Sequence, residues 1–182
     1  MVGGVRWDSR RGRWLPGLLR APDRWIAECR YGLEQSLHDG AATGMSAVAI
    51  ELDLIAAAVG DPRLGARIDA VRDTVCQAVD ELRHLGSAIY PPVLGGAGLE
   101  PAWRALAERR GLRLRLDLPG YDIGEEARAR TGLLVADYLH TLSSATMVLV
   151  RVRGRRFVRV RITEAEPGRS RRRYFWGVLR CA

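Results

Sequence analysis

In the stretch Leu33-Glu34-Gln35-Ser36-Leu37-His38-Asp39-Gly40, a histidine stands between two carboxylates on a run with helical period. A neutral imidazole, with an ordinary pKa near 6.5, is a usable nitrogen nucleophile at neutral pH. A carboxylate on one ring nitrogen holds the tautomer and makes the other nitrogen more basic. Glu34 lies four residues before His38 and stacks on the same helix face, whereas Asp39 points about 100° away. Either acid has the reach to hold the ring. The competing reading is an exposed helical histidine with ordinary solvated neighbours. His84 and His140 lack comparable company and read as surface or partly packed side chains.

The elements that must carry these residues follow from apolar spacing. Pro22-Asp23 opens a helix, since proline is tolerated in the first turn and an acid suits the positive end. Leu33, Leu37, Ala41, Met45, Val48, Leu52, Ile55 and Val59 then step by four or three, close to a heptad seam. Gly60-Asp61-Pro62 closes that helix and starts another. Its stripe runs Ile68, Val71, Val75, Ala78, Leu82, Leu85 and Ile89 until Pro91-Pro92 stops it. Two such helices make an antiparallel hairpin. Each stripe is too broad for one partner, so pairing of two hairpins into a four-helix homodimer is expected.

After Gly95-Gly96 the period changes. Leu99 to Arg109 predicts a short helix, and Leu112, Leu114, Leu116 and Leu118 alternate with charged residues as in a half-buried strand. Glu125 to about Ser144 is helical. Met147–Arg153 and Phe157–Ile162 flank Gly154-Arg155-Arg156 and predict a β-hairpin. The expected class is α+β. Its parts are a basic flexible arm (1–22), a helical hairpin (23–95), a small α/β unit (96–165) and a basic aromatic tail without clear pattern (166–182).

With 47% hydrophobic residues, the 182-residue chain can bury a core. Its net charge of +8 comes entirely from arginine; there is no lysine. Cys29, Cys76 and Cys181 have no metal-ligand spacing and fit a reducing compartment, with Cys76 read as a small core residue. No apolar run approaches the roughly 20 residues that span a bilayer. The opening residues lack the apolar centre of a secretory signal. A cytoplasmic location is therefore expected.

Two motifs resemble a known family. "LEQSLHDGAATGMSAVAIELDL" and "DELRHLGSAIYPPVLGGAGLEPAWRALAER" are similar to the dimerisation and phosphoacceptor region of bacterial sensor histidine kinases, in the subfamily paired with NarL-type response regulators. The likeness covers about residues 24–118. A weaker one continues to about 163, along the front half of the kinase ATP-binding domain. The resemblance implies that His38 is the phosphorylated residue and that Asp39 orients and deprotonates it. Thr43 stands where the family carries a glutamine used in phosphatase activity.

In the second half, "LLVADYLHTLSSA" aligns with the helix that supplies the family's catalytic acid and magnesium-binding asparagine. Asp137 stands at the acid and Thr141 at the asparagine. Thr163-Glu164-Ala165 falls where an Asp-x-Gly meets adenine, and no glycine-rich lid follows. Triphosphate and Mg²⁺ need compensating ligands and amides, so no ATP or magnesium binding by this chain is expected.

The resemblance implies a two-component signalling protein. It would homodimerise, receive phosphate at His38 from a separate ATPase-competent histidine kinase, and pass it to a NarL-type response regulator. Autonomous kinase activity is not expected. The alternative is a non-catalytic scaffold, a pseudokinase that dimerises with a kinase or sequesters a regulator. Eleven arginines lie between Arg151 and Arg180 with Tyr174, Phe175 and Trp176 among them. Basic-aromatic composition is one mark of nucleic-acid surfaces, but alternation makes the hairpin arginines an ordinary solvated face, so nucleic acid is not an expected partner.

Overall fold

The computed structural model describes residues 17–91, 94, 98–168 and 172–180. The chain divides into two compact units, Trp25–Pro92 and a second formed by Met1–Arg24 with Val93–Ala182.

The first unit is a helical hairpin. Helix α1 (Arg24–Gln35) passes through a π-helical stretch at Ser36–Ala42 into α2 (Thr43–Ala58), and α3 (Pro62–Ile89) returns. Asp61 caps α3: its carboxylate accepts from the Arg63 amide at 2.9 Å, with Pro62 in the first turn where no amide is needed. Leu37, Met45, Ala49 and Leu52 on one rod, with Val75, Val79 and Leu82 on α3, form the buried or half-buried seam. Two helices cannot enclose more than one stripe each. Val48, Ile50, Leu54 and Ile55 on α2, and Val71 and Leu85 on α3, accordingly remain exposed.

Two expectations need correction here. Cys76 is exposed rather than a core residue, because it falls outside the seam positions of α3. The rod Arg24–Ala58 also holds a window apolar enough, by length and composition, to cross a membrane. Its Asp53, however, pairs with Arg72 of α3 at 2.8 Å, as befits one arm of an amphipathic hairpin.

The second unit is a five-stranded sheet with helices on one face. Its elements are β1 (Gly17–Leu19), α4 (Leu99–Arg109), β2 (Arg113–Asp117), α5 (Glu125–His140), β3 (Met147–Arg153), β4 (Phe157–Ala165) and β5 (Arg173–Arg180). The strand order is β1-β5-β4-β3-β2. The β1–β5 and β2–β3 pairs are parallel, the two central pairs antiparallel. The predicted alternation decides the faces: Val150, Val152, Val160 and Ile162 are wholly buried against α4 and α5 with Trp103, Leu106 and Leu139. Each such side chain contributes roughly 1.5–3 kcal/mol by leaving water.

Close approach explains two glycines. A Cβ on Gly132 would meet the Leu94 side chain at 2.5 Å, where α5 receives that leucine and the Trp103 indole donates to the Gly132 carbonyl at 3.1 Å. Gly154 turns the β3–β4 hairpin with φ 100°, and a Cβ there would strike the Phe157 carbonyl at 2.1 Å.

The arm and the tail differ from expectation. Residues 17–19 form the edge strand β1, and residues 1–16 lie outside the described residues. The tail supplies β5, which pairs with β4 from Phe157↔Arg180 to Glu164↔Arg173. Its period of two was masked because Phe175 and Leu179 face the helices while Tyr174, Trp176 and Val178 face away. Both faces are therefore large and apolar. Pro92, Val93 and residues 95–97 of the second family motif, and Cys181, lie outside the described residues.

Candidate functional site

His38 sits in the middle of the π-helical stretch Ser36–Ala42. A π turn widens the backbone and is often found at functional sites. Widening also reduces the angle between consecutive side chains. The Asp39 carboxylate thus reaches the His38 ring, with Nδ1 and Oδ1 3.0 Å apart. The contact is solvent-accessible, with side-chain exposures of 61% for His38 and 74% for Asp39. An ionised carboxylate only accepts, which assigns the proton to Nδ1 and leaves the Nε2 lone pair open. The alternative holder, Glu34, is buried instead, its Cγ 3.6 Å from a Cβ position on Gly86 of α3.

Thr43 closes the widened turn. Its hydroxyl donates to the His38 carbonyl at 2.9 Å, five residues back. Ser36 donates similarly to the Gly32 carbonyl at 2.9 Å, and Tyr31 packs edge-on against Tyr90 with centroids 5.3 Å apart. Across from His38 lies a groove of ≈ 230 Å³ lined by Glu34, His38, Leu82, Arg83, Gly86 and Ser87. Arg83, absent from the sequence-based set, is the cation of that groove; its Asp80 neighbour lies 3.6 Å away. The signal for it was a charge on α3 one turn before Gly86, indistinguishable in sequence from any solvated arginine.

The second set of sequence-predicted residues occupies the end of α5. Asp137 is exposed, and the Thr141 hydroxyl turns back to the Tyr138 carbonyl at 2.7 Å. Tyr138, between them, points into the core. Its hydroxyl donates to the Glu164 carboxylate, and Arg173 of β5 pairs with that same carboxylate at 2.7 Å. Glu164 is 1% exposed. Burial and the Glu164 charge push the Tyr138 phenol well above its ordinary range. Phe175 covers the cluster, its ring 4.8 Å from that of Tyr138.

The other histidines behave as background. His84 Nδ1 lies 2.9 Å from the Asp80 carbonyl on an exposed turn. His140 is half-buried, and burial holds its pKa below the ordinary value. Among the described residues, no three His, Cys, Asp or Glu side chains converge as metal ligands.

The family model for histidine kinase, HisKA_3, matches residues 30–94, which span both helices of the hairpin and His38. The sensor histidine kinase MctS of Rhizobium johnstonii is 32% identical over 114 residues. That match covers 58% of this chain, and the chain spans 24% of the relative's length. Among solved structures, the histidine kinase domain of the Erythrobacter litoralis EL346 blue-light activated histidine kinase aligns at 16% identity with a TM-score of 0.32. It covers 67% of this chain and 71% of that one. Residues 30–94, the segment that holds His38, thus match the HisKA_3 histidine kinase model, and the chain spans about a quarter of the sensor histidine kinase it resembles.

Proposed function

We propose that the helical unit is a phosphoacceptor module. It homodimerises into a four-helix bundle, and His38 takes a phosphoryl group from a separate, ATPase-competent histidine kinase. The observation that carries this reading is the Asp39–His38 contact, which holds Nδ1 and leaves Nε2 accessible. In the transfer, the Nε2 lone pair forms the N–P bond while the donor's P–O bond breaks and the leaving oxygen keeps the electron pair. Asp39 stabilises the positive charge that develops on the ring. The Arg83 guanidinium, in the same groove, supplies charge for the arriving phosphoryl oxygens. The phosphoryl group then passes to the aspartate of a NarL-type response regulator.

What supports placing the donor on another protein is the end of α5. A nucleotide with magnesium requires open carboxylate, amide and asparagine-type ligands. Here Thr141 bonds its own helix, and Glu164 is buried between Tyr138 and Arg173. These residues do not fit the triphosphate and its metal. The exposed stripe of Val48, Ile55 and Val71 supports dimerisation, since apolar rows on both helices of one hairpin have no cover within it.

The test combines the purified chain with a kinase of the same subfamily and radiolabelled ATP, and reads acid-labile phosphate on this chain. Label that disappears in His38→Ala supports the relay. A dimeric chain that no such donor labels would leave the scaffold reading.

A further inference from the structure

The sheet face opposite α4 and α5 carries a feature that the sequence read as a solvated surface and a patternless tail. Pairing of β5 with β4 sets Arg161 opposite Trp176 and Thr163 opposite Tyr174. The Arg161 guanidinium lies between the two rings, 5.3 Å from the Tyr174 centroid and 5.1 Å from that of Trp176. Both rings remain accessible, at 40% and 37% exposure.

Towards β2 the face becomes more basic. Asp117 is its one acid among the described strand residues and is occupied by Arg151 and Arg153. Arg113 and Arg115 have no carboxylate partner among the described residues. A depression of ≈ 160 Å³ bounded by Arg151, Arg161, Arg172 and Tyr174 adjoins one of ≈ 470 Å³ bounded by Arg113, Arg115 and Arg172, with Glu164 in its lining buried and paired with Arg173. The two share Leu149, Thr163 and Arg172. The result is one shallow trough running from the aromatic rings to the free arginines.

We propose that this trough binds single-stranded nucleic acid. Ring faces and guanidinium planes interleaved on a flat sheet match the two chemistries of a single strand, stacking for bases and ion pairing for phosphates. An anionic bilayer fits less well, because inserting Tyr174 and Trp176 would carry the Arg161 guanidinium into hydrocarbon with no carboxylate beside it. An acidic protein answers the charge but leaves the ring faces unmatched.

The experiment is fluorescence anisotropy of labelled, mixed-sequence single-stranded DNA and RNA titrated with the full chain over a salt series. Contacts to three or four phosphates predict a slope of log affinity against log salt of about −2 to −3, at about −0.7 per phosphate. Arg113→Gln with Arg115→Gln, both exposed and outside the core, should make that slope shallower by about 1.4. Tyr174→Ala with Trp176→Ala should weaken binding at least ~10-fold through lost stacking. Circular dichroism and thermal unfolding establish that each variant is folded; if the aromatic pair is not, single Tyr174→Leu and Trp176→Leu variants replace it. Absence of binding at about 50 mM salt would overturn the proposal. So would affinity unchanged in either folded variant set, or equal binding to phosphatidylserine vesicles or polyglutamate.

Discussion

The Tyr138 hydroxyl of α5 donates to the Glu164 carboxylate of β4 in the core of the sheet unit. Because Arg173 completes the cluster from β5, three elements meet at one buried charge. Deleting the carboxylate in Glu164→Ala leaves a buried phenol without its acceptor, while Arg173 keeps only its Glu166 pair at 3.2 Å. We expect a loss of about 2–3 kcal/mol, discounted from the value for a fully buried pair because Arg173 is partly solvated. Tyr138→Phe should cost only about 1–2 kcal/mol. Urea unfolding of the two variants checks the ranking.

Asp39→Asn keeps the shape beside His38 but removes the charge that holds Nδ1–H. Phosphoryl acceptance should fall about 10²-fold, in line with loss of one positioned proton-holding group. Glu34→Gln, at a residue that does not hold the ring, should leave the acceptance rate within about 3-fold, a bound set by its lack of a transferable proton at the ring. Initial rates of acid-labile labelling from a common donor kinase distinguish the two acids.

Val48 and Ile55 stand two turns apart on one exposed face of α2. Replacing both by glutamate puts charge into the expected dimer seam. The chain should shift from dimer to monomer in light scattering, with helical content largely retained because neither residue lies in the α2–α3 seam. A variant that stays dimeric would place the interface elsewhere.

His140 supplies a pH signature. Burial first, then Arg110 and Arg109, hold its pKa below the ordinary value, with Asp137 opposing. The folded state therefore disfavours the proton that the unfolded chain accepts near pH 6.5. Stability from this residue is complete above about pH 6.5 and is lost as pH falls from there through the lower folded value. Thermal midpoints between about pH 7 and 5 should decline in the parent and decline less in His140→Leu.

Much of this architecture was legible because burial here follows simple periods. The α3 stripe, and the alternation over Val150–Arg153 and Val158–Ile162, each have one apolar side and one charged side. Where that contrast vanished, legibility did too. In β5, Phe175 and Trp176 look alike in sequence yet face opposite sides of the sheet. In β1, three residues are too few to display a period. The candidate site split along the same line. His38 with its two acids was visible as a cluster of residue types. From the residues alone Asp39 and Glu34 stood level and only the resemblance favoured Asp39; the Asp39 contact rests on a widened helical turn whose cause is distributed over Ser36–Ala42. Arg83 required knowing which face of α3 meets that turn.

The parallel pairing of Gly17–Leu19 with Phe175–Gly177 carries a consequence for how the molecule is made. Those two strands are separated by almost the whole described chain, so the β1 ladder has very high contact order. During synthesis the helical hairpin is complete long before β5 leaves the ribosome. The β1 strand must wait, unpaired, until β5 arrives to receive it. Closure of the sheet unit is then a late event that encloses the finished hairpin in sequence. A chain shortened before Arg173 would lose both β5 and the partner of β1, leaving β4 as a raw edge open to other strands.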